Sequence, residues 1–267
     1  MLAKPVAFFL RDLRLAASYR LAFAQGLFSV VFGLASMNFL SRLVNEGQPE
    51  SLEAYGSDYF SFVLIGLSLA LFGQAVARQF PSLLRSAQVT GTLEVMIGSR
   101  TGLPAFLAYS SLYGIFFAGL QFAASLVLGA LVLGANLNAA ELFGALVVIA
   151  LTTASFAGVG IFAAAFVIWF KQSEPLTAFF LTASLLASGV FYPTAVLPGW
   201  LEALSPLLPL THSAEALRHA LLEGTSLSLL SDAVLALAGF SLLLPTSLFA
   251  MDYAVRRAKV AGSLAQY

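Results

Sequence analysis

The side chains of this chain that could carry acid, base or nucleophilic chemistry are few, and their spacing fits none of the usual catalytic arrangements. His212 and His219 stand seven positions apart with no HExxH pattern around them, so they do not form the paired imidazoles of a zinc protease. The three lysines, Lys4, Lys171 and Lys259, occur in AKP, FKQ and AKV. A loop that cradles phosphate needs Gly-Lys followed by Ser or Thr, so the chain lacks a P-loop and cannot hydrolyse ATP by that route. No Gly-x-Ser-x-Gly elbow occurs, and Asp58, Asp232 and Asp252 sit at the ends of apolar runs instead of facing each other within them. Cysteine is absent, which removes disulfides, thiolate metal sites and thiol nucleophiles. No catalytic residue, metal site or cofactor is expected in this chain, and no nucleic-acid partner.

The elements that must position the remaining polar groups are apolar and long. Of 267 residues, 60% are hydrophobic and 10% charged, with 24 phenylalanines and a mean hydropathy of +0.91. Soluble domains carry roughly 25% charged residues, so this is a membrane chain. A bilayer core about 30 Å thick takes roughly 20 residues of helix. Charge-poor runs then predict six transmembrane helices, at about 21–44, 59–79, 102–133, 142–170, 176–192 and 232–252. Residues 101–140 are uncharged and too long for one crossing, so GANLNAAE is read as the turn after the third span. No repeat or polar linker divides the chain, and residues 1–267 are expected to form a single membrane domain. The apolar stretch VAFFL before Arg11 is shorter than a signal-peptide core, so no cleaved leader is expected.

Positive residues are retained on the cytoplasmic side of a membrane. With six spans and both termini cytoplasmic, eleven Lys and Arg residues fall inside and only Arg42 and Arg218 outside. Glu46, Glu50, Glu53 and Asp58 crowd the first outer loop. Residues 4–20 predict an N-terminal interfacial helix, with Val6, Phe9, Leu10, Leu13 and Ala17 on one face and Arg11, Asp12, Arg14 and Ser18 towards the other. Within the spans the polar groups are uncharged. Gln25, Asn38 and Gln121 are candidate substrate-path residues, each as readily an interhelical hydrogen-bond partner. Proton coupling normally uses ionisable groups inside the spans, so their scarcity argues for an amphipathic or uncharged cargo. The small residues around Ala154 to Gly160 allow close helix contact and could serve dimerisation.

Two segments between spans are more specific. In residues 91–100, GTLEVMIGSR, Pro81 upstream suits the first turn of a helix, Gly91 interrupts, Thr92 can cap a new helix, Glu94 favours its positive end, and Gly98 can stop it. Leu93, Met96 and Ile97 share one face of this helix of under two turns. So short a helix is marginal alone, and a membrane surface or a partner's groove is expected to hold it. In residues 188–224, Pro193, Pro198, Pro206 and Pro209 forbid a continuous helix. A re-entrant pair of short helices is expected there, from Ser188 to Trp200 and from Thr211 to Glu223, with Tyr192 and Trp200 at headgroup level. The alternative is a plain amphipathic loop. Glu215, Arg218 and His219, at i, i+3 and i+4, can pair on one exposed face.

GTLEVMIGSR resembles the cytoplasmic coupling segment of ABC-2 type transporter permeases. The later segment resembles that family between its fifth and sixth spans. It carries Gly189, Tyr192-Pro193, Leu197-Pro198-Gly199-Trp200, Pro209-Leu210-Thr211 and Ala216-Leu217-Arg218. Where many relatives have an acidic residue soon after the second span, this chain reads Arg78-Gln79-Phe80. The resemblance implies an all-α permease of the cell membrane, exporting a drug, lipid or lipid-linked glycan. It further implies two copies of a separate ATPase subunit, which bind ATP and Mg and dock on Thr92, Leu93, Glu94, Met96 and Ile97. A second permease subunit, expected to be an identical chain, and membrane lipids complete the partners. The alternative reading is an ATP-independent channel or secondary transporter.

Overall fold

The computed structural model describes residues 3–18, 20–46, 58–99, 101–138, 140–170, 174–223 and 231–261, and among them the fold is helical throughout, with no strand. The principal helices are α1 (Ala3–Ser18), α2 (Arg20–Glu46), α3 (Tyr59–Val89), α4 (Leu93–Gly98), α5 (Leu103–Leu131), α6 (Leu142–Phe170), α7 (Glu174–Ala187), α8 (Gly199–Glu202), α9 (Pro209–Arg218), α10 (Ser231–Ser241) and α11 (Leu243–Ala261). Among the described residues, four helical stretches are long and apolar enough to cross a membrane: Tyr59–Val89, Leu103–Leu131, Leu142–Trp169 and Asp232–Val260. Shorter apolar stretches lie in α2, at Val30–Leu43, and in α7, at Thr177–Ala187. The acidic residues Glu50 and Glu53, together with Arg100 and Lys171, lie outside the described residues.

Glycines show how the helices run. Side chains added at Gly114 and Gly129 of α5 would overlap Gln79 and Leu64 of α3, so α5 runs antiparallel to α3. Gly73 of α3 faces Phe156, and Gly160 faces Ala77 and Phe80, so α6 runs parallel to α3. Gly158 meets the backbone of Leu243 and Leu244, and Arg257 lies 5.8 Å from the ring of Trp169, so α11 runs parallel to α6. α3 therefore stands between α5 and α6 and is buried along most of its length. Its start is capped by Asp58, which accepts from the Phe60 and Ser61 amides at 3.2 and 3.3 Å. The Ser61 hydroxyl in turn accepts from the Asn136 amide (2.9 Å) and ties down the turn between α5 and α6. α1 lies along the first half of α5, with Phe8 edge-on to Phe106 and Phe9 edge-on to Phe116.

Several sequence expectations are corrected by this packing. Pro81 does not open a new helix; α3 continues through it to Val89. Proline leaves the carbonyl four residues earlier without its helical donor. That carbonyl, Ala77 O, faces Gly160, where any side chain would collide with it. The small residues of α6 give close contacts within the chain, Gly158 against α11 and Gly160 against α3. The fifth apolar run is helical only to Ala187, because Gly189 takes a left-handed conformation (φ 70°) and turns the chain. The last span bends at Leu242, just ahead of Pro245.

Gly160→Ala is expected to lower the thermal midpoint of the detergent-solubilised protein, since α6 must move off α3. Gly239→Ala in α10, where an added methyl meets no atom within 4 Å, is expected to raise stability by up to about 1 kcal/mol through helix propensity. Equal responses of the two variants would contradict the close α3–α6 contact.

Candidate functional site

One end of the bundle is built around α4. α3 ends at Val89 with Thr90 as its C-cap, and Gly91 (φ 67°) reverses the chain, with the Thr92 amide donating to Ala87 O at 2.9 Å. Thr92 occupies the capping position of α4 but does not cap it; its hydroxyl turns back to Ala87 O (3.4 Å) and to the Thr90 hydroxyl (2.9 Å). Leu93 (2% exposed) and Ile97 (8%) join the main hydrophobic core, and Met96 packs partly against it. The apolar face is therefore held by the chain's own α3 and α5, not by a membrane surface or a partner. What α4 offers outward is Thr92, Glu94 and Val95, the last 74% exposed. This orientation was not readable from the segment alone, because the same three apolar residues would face any groove, internal or foreign.

Gln88 lies four residues after Leu84 on the same stripe of α3, and the sequence reading passed it over. It is buried, and neither polar atom of its amide has a hydrogen-bond partner among the described residues. A polar residue interrupting an apolar i, i+4 stripe was the available signal.

The opposite end is built around α9. Pro193 and Pro198 stand at the caps of short helical turns, and Pro206 and Pro209 in the first turns of theirs, where a missing amide costs no helical bond. The first limb is thus a chain of single turns, Thr194–Val196, Gly199–Glu202 and Ser205–Leu207, and not one helix. The second limb starts at Pro209, two residues earlier than expected, and nearly all of it is buried. The Ser213 and Thr152 hydroxyls meet at 2.8 Å between α9 and α6. A buried helix excludes the plain surface loop. Trp200 remains 69% exposed, and the Tyr192 hydroxyl donates to Leu186 O (2.8 Å) at the end of α7.

Arg218 does not share an exposed face with Glu215. Glu215 is exposed, whereas Arg218, 4% exposed, turns into the bundle. Its guanidinium donates to Gly189 O and Val190 O, both at 2.9 Å, and to Phe62 O at 3.2 Å. Its Cζ lies 3.4 Å from the centroid of the Phe62 ring. A methyl at Gly66 would collide with the guanidinium, so this glycine makes the room. Three carbonyl oxygens converge on the guanidinium, and their partial negative charge favours a cation there. The planar fork of arginine presents five N–H donors in a fixed, spread geometry, whereas the lysine ammonium is a compact point with three.

The three candidate path residues separate. Asn38 donates to Leu133 O (3.2 Å), holding the chain after α5. Gln121 lines a cavity of about 110 Å³ between α2, α3 and α5. Gln25 is exposed beside Gly26, where an added Cβ would lie 3.2 Å from the Gln121 amide nitrogen.

Two predictions test this division of labour. Leu93→Ala is expected to cost roughly 2–5 kcal/mol of stability, as for a buried leucine, while Glu94→Ala stays within about 0.5 kcal/mol; thermal unfolding of each purified variant measures both. Arg218→Met is expected to destabilise by roughly 1–3 kcal/mol for each carbonyl left without a donor. Arg218→Lys is expected to recover only part of that loss, and full recovery in the same assay would show that charge alone suffices.

The model for the family described as ABC-2 type transporter matches residues 14–222, which include α4, α9 and Arg218. Nodulation protein J of Sinorhizobium fredii (strain NBRC 101917 / NGR234) is 32% identical over 152 residues, covering 52% of this chain and 58% of that protein. The chain therefore matches somewhat more than half the length of this relative. With most of its sequence inside the family match and its helices apolar enough for a bilayer, the chain belongs to the ABC-2 type transporter family, as a membrane permease component.

Proposed function

We propose that this chain is the transmembrane subunit of an ATP-driven exporter, moving a hydrophobic or amphipathic molecule, such as a drug, lipid or lipid-linked glycan, out of the cytoplasm. Six spans place both termini and α4 on the cytoplasmic side of the cell membrane, and two permease chains work with two ATPase subunits that carry ATP and Mg. The parallel course of α3, α6 and α11, with α5 opposed, supports this alternation of spans. The observation that carries the reading is α4 itself, a six-residue helix anchored from within by Leu93 and Ile97 that presents Glu94 and Val95 at a bundle end. A push on that outer face is passed to α3 and α5 without melting the helix, because its apolar face belongs to their core. The docking contact then falls on Thr92, Glu94 and Val95, with Met96 at its edge, while Leu93 and Ile97 transmit. The low charge of the spans suits an amphipathic cargo better than proton coupling.

The test is to co-express the chain with its ATPase, purify the complex and measure ATP turnover. Changing Glu94 and Val95 together to Ala is expected to reduce co-purification or turnover at least tenfold while leaving the thermal midpoint of the permease in place. If no ATPase co-purifies and the double change alters nothing, a partner-free channel or porter becomes the better account.

A further inference from the structure

α3 is the most buried of the four long apolar helices, yet one side of its second half is open. Leu71, Ala75, Arg78, Ser82, Arg85 and Val89 are exposed and recur at alternating steps of four and three residues, which places them in one stripe along the helix. The stripe changes character along its length. Leu71 and Ala75 are apolar, whereas Arg78 and Arg85 set two positive charges about 10 Å apart along the axis.

The depth of these arginines follows from the packing of α3. Gln79 meets Gly114 of α5 and Leu64 meets Gly129, so residues 78–85 lie opposite residues 108–115. That part of α5 holds Tyr109 and Tyr113, which pack against Phe8 and Phe9 of α1. Ala77 and Phe80 meet Gly160 of α6, so Trp169, 56% exposed, comes just beyond the level of Arg85. Tyrosine and tryptophan collect where the bilayer meets water, and an amphipathic helix such as α1 lies in that plane. The arginines therefore stand at headgroup depth, with Ala75 and Leu71 one and two turns deeper towards the hydrocarbon.

The protein does not neutralise either charge. Arg11 pairs with Asp12 at 2.8 Å and Arg256 with Asp252 at 2.7 Å. Arg78 donates to the neutral Gln74 amide oxygen at 3.2 Å, and no carboxylate lies against Arg78 or Arg85 among the described residues. The guanidinium fork matches phosphate oxygens, because two parallel N–H bonds can reach one group. A second copy of the chain packed on this stripe about an axis normal to the membrane would set arginine against arginine, so the charge favours an anionic occupant.

We propose that the open stripe of α3 is a binding site for an anionic phospholipid, with Arg78 and Arg85 on its phosphate and an acyl chain along Ala75 and Leu71. That the lipid comes from the cytoplasmic leaflet rests on the orientation proposed above; the site itself rests on the depth of the arginines and not on ATPase docking.

The test is native mass spectrometry of the detergent-solubilised chain titrated with dioleoyl-phosphatidylglycerol or, as the zwitterionic control, dioleoyl-phosphatidylcholine. Phosphatidylglycerol is expected to bind saturably and at least tenfold more tightly than phosphatidylcholine. Arg78→Gln combined with Arg85→Gln is expected to remove that preference. Arg14→Gln combined with Lys259→Gln, which changes exposed cations on other helices, is expected to leave it in place. Arg85→Gln alone is expected to give a partial loss, which keeps the test valid if the double variant folds poorly. Inorganic phosphate at the same concentration is expected not to compete, and competition would overturn the acyl-chain contact. Equal retention of the two lipids, an unchanged preference in both Arg85 variants, or its loss in the Arg14 and Lys259 variant overturns the proposal. The measurement involves no ATPase and no defined leaflet, so failure of the export reading, seen as an absence of ATPase co-purification, leaves its outcome unaffected.

Discussion

Helices in an apolar surrounding gain little by hiding apolar side chains from one another, so their association rests on close packing and on polar groups that find partners. α3 concentrates both. Gly73 admits Phe156, while Gly129 and Gly114 of α5 admit Leu64 and Gln79. Gly160 comes down on the carbonyl that Pro81 leaves without a helical donor. Each contact removes a side chain where two helices meet, and together they decide which neighbours α3 has and in which direction each runs. The other elements hang from this arrangement: α4 from its last turn, α9 from its first.

A second constraint acts where helices stop. Backbone carbonyls that leave a helix away from water need donors from within the protein. α7 is short and ends against the bundle; the Tyr192 hydroxyl meets Leu186 O in its last turn, and the Arg218 guanidinium meets Gly189 O and Val190 O in the turn that follows. A buried arginine is costly unless its donors are used, and here each terminal nitrogen and Nε has an acceptor, with the Phe62 ring face against the ion. The guanidinium joins α3, the turn after α7 and α9 at one point. α3 spans 31 residues, or about 46 Å at the usual rise, between this junction and α4. One continuous helix therefore touches both the α4 end and the end where Arg218 binds.

Most other polar side chains in the bundle serve their own backbone. Thr152, Thr153 and Ser155 each bond a carbonyl one turn earlier, and Ser125 does likewise. Such bonds let hydroxyls sit in an apolar surrounding without a water path, and a few, such as Thr152 with Ser213, add a cross-helix tie. Gln88 is different, because neither polar atom of its buried amide, at the base of α4, has a partner among the described residues.

By itself the sequence determined the class and several of the long helices. Apolar length without charge is a local property, and the runs at 59–79, 102–133 and 142–170 correspond closely to α3, α5 and α6, apart from the continuation of α3 through Pro81. The interruption at Gly91 and the broken course through Pro193, Pro198, Pro206 and Pro209 were legible for the same reason, since glycine and proline act on their own backbone. Only the tertiary structure decided which way the side chains of those segments face. Leu93, Met96 and Ile97 form an apolar face in any environment, and it took the positions of α3 and α5 to turn that face inward and leave Glu94 and Val95 outside. Arg218 reads as a surface ion-pair partner of Glu215 by spacing alone. Its true acceptors lie 28, 29 and 156 residues away in sequence, and no helical periodicity encodes contacts at that distance.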